Sequence, residues 1–68
     1  VLSGADVCAI LASRGFAAVR QRGSHVVMQK ATKESTISVP VPLHRELRTG
    51  TLLSIIRQSG VSRGVFEE

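Results

Sequence analysis

The sequence predicts an α+β fold in the order α-β-β-β-α, with a three-stranded antiparallel sheet and two helices on one face. Three observations carry that expectation. Apolar residues recur at helical spacing near both ends, runs rich in Val, Ile and Thr lie between them, and glycines or polar turns separate the segments. A chain of 68 residues is one domain at most, and the expected domain is residues 1–68. A domain of this size buries only ~60 % of the surface its unfolded chain exposes, so the core is thin. The 43 % hydrophobic content still suffices for two helices on one small sheet, and is too high for a disordered tail.

Ser3 is a good N-cap, and Asp6 sits where a first-turn carboxylate helps. Val7, Ile10 and Leu11 then mark one face of a helix over 4–14, which Gly15 closes. Phe16 to Gln21 reads as a first strand, and Arg22-Gly23 as a tight turn. His25 to Gln29 is the second strand, Ala31 to Ser35 a polar turn, and Thr36 to Val39 a third, β-branched strand. Pro40-Val41-Pro42 is expected to end it, because neither proline can donate to a ladder. Leu43 to Arg48 links to a second helix that begins at Thr49 and presents Leu52, Ile55, Ile56 and Ser59. Leu53 is expected to widen its apolar face and Gly60 to close it. Ser62 to Glu67 is expected to add a short helical turn that packs Phe66 onto the body. Double-stranded-RNA-binding domains share this order of elements, which is an analogy of topology and does not fix function.

Composition narrows the function classes. Nine Lys and Arg against five Asp and Glu give a net charge of +4, which favours a polyanionic partner. There is no Trp or Tyr, and the aromatic residues are Phe16 and Phe66. Base stacking on exposed aromatics is therefore out of reach, and any nucleic acid would be held through phosphates and shape. Cys8 stands alone, so no internal disulfide forms. A reducing cytoplasm is the expected compartment, with Cys8 a small buried hydrophobe on the first helix. No stretch nears the ~18 apolar residues of a membrane span, and no leader pattern opens the chain, so no membrane partner is expected.

Metal chemistry is not suggested. A structural zinc site needs four Cys or His ligands, and this chain has Cys8, His25 and His44. Asp6, Glu34, Glu46, Glu67 and Glu68 are scattered over separate elements, and no phosphate-cradling glycine loop appears. The expectation is no cofactor and no metal.

Histidine remains. RNA carries its own nucleophile, the 2′-hydroxyl, so its cleavage needs a base for that proton, an acid for the leaving 5′-oxygen and positive charge for the phosphorane. Imidazole, with an ordinary pKa of ~6.5, suits both transfers. His25 follows the hairpin turn in Arg20-Gln21-Arg22-Gly23-Ser24-His25. Alternation puts His25, Val27 and Gln29 on one strand face, Val26 and Met28 on the other, so His25 is expected to point away from the helices. Arg20, Arg22, Lys30 and Lys33 lie within a few residues of it. An exposed strand histidine with no catalytic part is the commoner case. His44 is a candidate second proton carrier or phosphate contact, against the plainer reading of a solvated or capping residue. Ser24 is a candidate phosphate contact, against a turn serine that satisfies backbone. The backbone N–H groups of Thr49-Gly50-Thr51 are another, against ordinary helix capping. The candidate RNA contacts are thus Arg20, Arg22, Ser24, Lys30, Lys33, His44 and Arg48.

Two stretches add to this reading. Gly15-Phe16 through Arg22-Gly23-Ser24-His25-Val26-Val27 is the first. The second is Val39-Pro40-Val41-Pro42-Leu43-His44-Arg45-Glu46-Leu47, then Gly50-Thr51-Leu52 to Arg57-Gln58-Ser59-Gly60. Together they resemble the HicA toxin family, the RNA-cleaving half of bacterial and archaeal HicA–HicB toxin–antitoxin pairs. The resemblance runs from about Ser3 to Phe66. It implies an endoribonuclease that acts on messenger RNA without needing the ribosome. It also implies that His25 is the catalytic histidine, at the position after the glycine of the first hairpin. Family members often continue with a second histidine or an aromatic residue, where this chain has Val26 and Val27. The implied partner is a HicB antitoxin that covers the active face and usually carries the DNA-binding part, in a hetero-oligomer or alongside a dimer. A non-catalytic RNA-binding module of the same fold and a small protein-interaction domain are the alternatives. Binding without fragments would mark the first, and binding that survives excess RNA competitor the second.

Overall fold

A computed structural model describes residues 2–67 of the chain. Ser3, in extended backbone, caps the first helix, α1 (Gly4–Ser13). Its hydroxyl accepts from the Asp6 N–H at 3.0 Å, and the Asp6 carboxylate accepts from the Ser3 N–H at 3.0 Å. This reciprocal box satisfies two donors that a helix start leaves open. Gly15, at φ 95°, turns the chain out of the helix as its position predicts. The strands are β1 (Ala17–Arg22), β2 (His25–Ala31) and β3 (Thr36–Pro42), followed by α2 (Thr49–Ser59) and a 3-10 turn (Arg63–Phe66). The sheet is antiparallel in the order β1-β2-β3. The α-β-β-β-α fold expected from sequence is therefore the observed one.

One face of the sheet is apolar and covered. Val26 and Met28 of β2 and Val39 and Val41 of β3 pack with Val7 and Leu11 of α1, Ile55 of α2, and Phe16, Leu47 and Phe66 from the links and the 3-10 turn. Full burial of such a side chain contributes roughly 1.5–3 kcal/mol. The opposite face, which carries His25, has no helix over it in this arrangement.

Four sequence expectations need correction. Pro40-Val41-Pro42 does not end the third strand, since β3 runs to Pro42 and Val41 is buried opposite Val26. The two prolines are two residues apart, so both point their missing N–H to the same side, and β3 is an edge strand with one side open. Leu53 does not widen the apolar face of α2 but stands 40 % exposed. The second strand continues past Gln29 to Ala31, because the turn is confined to 32–35: the Thr32 N–H donates to the Ser35 carbonyl at 2.8 Å. The first strand is shifted by one residue, with Phe16 in the core and Arg22 in the ladder.

The ladder between β1 and β2 contains a bulge. Ala18 pairs with Met28 and Arg20 with Val27, leaving Val19 as the extra residue, half out in solvent. Directly paired residues share a face, so the bulge changes which partners Ala17 and Ala18 meet at the far end of β1, while Arg20 and Arg22 keep the register set by the turn.

Candidate active site

His25 opens β2 directly after the turn at Gly23, whose φ of 54° a glycine adopts without strain. It is paired with Arg22 on one side and Pro42 on the other, and the next row on the same face is Arg20, Val27 and Pro40. The imidazole is exposed and is not enclosed by the helices. The two-residue turn at Gly23-Ser24 pairs Arg22 with His25 and Arg20 with Val27, so both arginines stand on the histidine face; the Val19 bulge shifts only Ala17 and Ala18 beyond them.

Three backbone hydrogen bonds then bring the chain back to His25. The Leu43 N–H donates to the Ser24 carbonyl at 2.6 Å, fastening the end of β3 to the hairpin turn. The Gly4 N–H donates to the His44 carbonyl at 2.8 Å, and the Leu47 N–H to the Leu2 carbonyl at 2.9 Å. The 43–47 segment is thus strapped across the start of α1, with Leu47 buried as its anchor. Gly4 is what lets it lie there: a Cβ at that position would overlap the Pro42 carbonyl and come within 2.7 Å of the Leu43 Cα. As a result the rings of His25 and His44 stand 6.4 Å apart between centroids, at 74° to one another.

A match to a family model covers this whole arrangement. The model, described as the HicA toxin of bacterial toxin–antitoxin systems, matches residues 4–61. The chain belongs to the HicA toxin family. The matched span runs from the first turn of α1 past Gly60 and includes all three strands, the 43–48 link and both histidines. Comparison with the curated proteins found no match, and comparison with the solved structures found none.

In this HicA-family chain the structure gathers Arg20, Arg22, Ser24 and His44 around His25 and separates the other sequence candidates. Lys30 pairs with Ile37 and shares the parity of Val26 and Met28, so it lies on the opposite face. Its amine sits 5.9 Å from the centroid of the Phe16 ring, a cation–π contact that covers the core edge. Lys33 lies in the turn beyond the far end of β2, roughly 20 Å away by strand rise. Arg48 is the N-cap residue of α2 and, with Leu2, Glu46, Leu47, Thr49 and Leu52, lines an open cleft. Alternation alone would have removed Lys30; nothing in the sequence showed that His44 returns to His25. Arg45, exposed and next to His44, is a cation that the sequence reading passed over.

Other ionisable groups serve the scaffold. The Ser3 backbone N–H, and then its hydroxyl, hold the Asp6 carboxyl below its ordinary pKa. Burial pushes the thiol of Cys8 up, and that half-buried side chain packs against the core. Among the described residues no three His, Cys, Asp or Glu side chains gather as metal ligands. Among them, too, no helix is long and apolar enough to cross a membrane.

Proposed function

We propose that this HicA-family protein is an endoribonuclease that cleaves messenger RNA in the cytoplasm without a metal ion, using His25 as its essential proton carrier. The observation that carries the reading is the exposed imidazole of His25 directly across the ladder from Arg22. A phosphodiester laid on this face would meet an imidazole and the guanidinium groups of Arg20 and Arg22 together. Guanidinium stays charged at any working pH and matches phosphate geometry, so these arginines suit both substrate binding and the phosphorane. The 2′-hydroxyl supplies the nucleophile, which leaves proton transfer and charge stabilisation to the protein. General acid–base help of this kind is worth roughly 10²–10⁴-fold.

The same face is the surface a HicB-like antitoxin would cover. A net charge of +4 and a basic, histidine-bearing row give an acidic partner a complementary target, and covering His25 would exclude RNA.

The test is cleavage of a labelled messenger RNA by purified protein in excess chelator, with wild type and His25→Ala compared. The expected products end in a 2′,3′-cyclic phosphate and a 5′-hydroxyl, and the variant is slower by at least ~100-fold while keeping the wild-type melting curve. A folded variant that cuts at full rate would remove His25 from the mechanism. Intact RNA in the wild-type reaction, with retained binding, would make the domain a binding module.

A further inference from the structure

We propose that His44 is the second proton carrier of the site, working opposite His25 in one cleavage event; this rests on the ribonuclease reading above. Neither imidazole has a hydrogen-bond partner among the described residues. Both are exposed, and their rings lie 6.4 Å apart between centroids. At that separation their nitrogens stay about 4 Å apart even when turned toward each other, outside hydrogen-bond range. The gap is instead one that a single phosphate group can span, touching both rings. Two exposed imidazoles within reach of one phosphate can supply the base and the acid that transesterification of RNA uses.

The step balances without any co-reactant. One imidazole, neutral, takes the proton of the 2′-hydroxyl as that oxygen bonds to phosphorus. The other, as imidazolium, gives its proton to the 5′-oxygen as the P–O5′ bond breaks. The products are a 2′,3′-cyclic phosphate and a 5′-hydroxyl, and one proton has been exchanged between the two rings by way of the substrate.

His44 is held in place by its main chain, through the Gly4 N–H to its carbonyl at 2.8 Å and the neighbouring Leu43 N–H to Ser24. Its side chain contributes nothing to that strap, so replacing the ring tests chemistry and leaves the backbone bonds available. The charged groups on the elements packed beside the pair are Arg20 and Arg22 of β1, Arg45 and Glu46 of the link, and Asp6 in the first turn of α1. Imidazole is the side-chain group whose ordinary pKa falls in the neutral range, so a pH profile reports on proton transfer by histidine.

The experiment measures kcat/KM against pH for wild type, His44→Ala, His44→Gln and His25→Ala, on RNA with an ordinary linkage and on RNA with sulfur in place of the 5′-oxygen at the cut. A thiolate leaves without protonation, so the variant lacking the acid recovers on the sulfur substrate, whereas the variant lacking the base does not. The expected results are a bell-shaped wild-type profile, a loss of at least ~100-fold in kcat for both His44 variants, and disappearance of one limb of the bell. Recovery on the sulfur linkage by one histidine variant and not the other then assigns acid and base. A His44→Ala protein that cuts at the wild-type rate, or that raises KM alone and keeps both limbs, overturns the proposal and leaves His44 at most a substrate contact. That outcome stands apart from failure of the ribonuclease reading itself, in which wild type does not cut.

Discussion

The Gly4 N–H donates to the carbonyl of His44 at 2.8 Å, joining the first residue of α1 to the histidine that faces His25. All three strands lie between the two bonded residues in the chain, so one hydrogen bond at the helix start fixes where the far end of the sheet delivers an imidazole. The surrounding packing allows no slack, because the Gly4 Cα lies directly on the Pro42 carbonyl and Leu43.

Gly4→Ala is therefore expected to damage both fold and site. The added methyl meets backbone atoms, which cannot rotate away as a side chain would, and overpacking of this kind costs about 1–3 kcal/mol. In a domain of this size each kcal/mol lowers Tm by roughly 4–8 °C. Activity measured well below the lowered Tm should still fall, because the strap that carries His44 must move off α1. A Gly4→Ala protein with the wild-type Tm and rate would show that the helix start does not position the link.

Arg22 and Lys30 are both basic residues near His25 in sequence, yet they project from opposite faces of the sheet. Binding of RNA to proteins made inactive by His25→Ala separates them. Arg22→Gln is expected to weaken binding and to lower the slope of log affinity against log salt by about one. Lys30→Gln should leave that slope unchanged and act instead on stability, through loss of its contact with Phe16, by about 0.5–1 kcal/mol. Equal loss of salt slope in the two variants would place the RNA elsewhere than on the His25 face.

Asp6 ties stability to pH through the capping box. Its carboxyl is held below the ordinary range in the folded chain by the Ser3 N–H and hydroxyl, so its stabilising effect is present above the unfolded carboxylate pKa of ~3.9. That effect is lost as pH falls through the lower, folded value. Asp6→Asn should consequently unfold at lower urea than wild type at pH 7, with the gap closing in acid as the wild-type carboxyl protonates. A gap of constant size from pH 7 to pH 2.5 would rule out the charged cap as its source.

Much of the fold was legible because it is written in local chemistry. Ser3 and Asp6 cap α1, Gly15 and Gly60 end the helices, and the alternation of Val26 and Met28 with His25 and Val27 sets the two faces of β2. The prolines of β3 misled, because a missing N–H is disqualifying only where a neighbour needs it, and the sequence does not say which strands are edges. Leu53 misled for a similar reason: α2 is apolar over a wider arc than the sheet beneath it can cover.

By itself the sequence determined the order of elements, most of the core and the side of the sheet on which His25 stands, since helical and strand periodicities act over a few residues. Only the tertiary structure decided what keeps His25 company. The strap from Leu43 to Leu47 brings His44 beside it, and the bulge at Val19 resets the pairing of the far end of β1. Both depend on hydrogen bonds between backbone groups distant in the chain, and backbone N–H and C=O are the same at every residue but proline, so no side-chain pattern records which of them will meet.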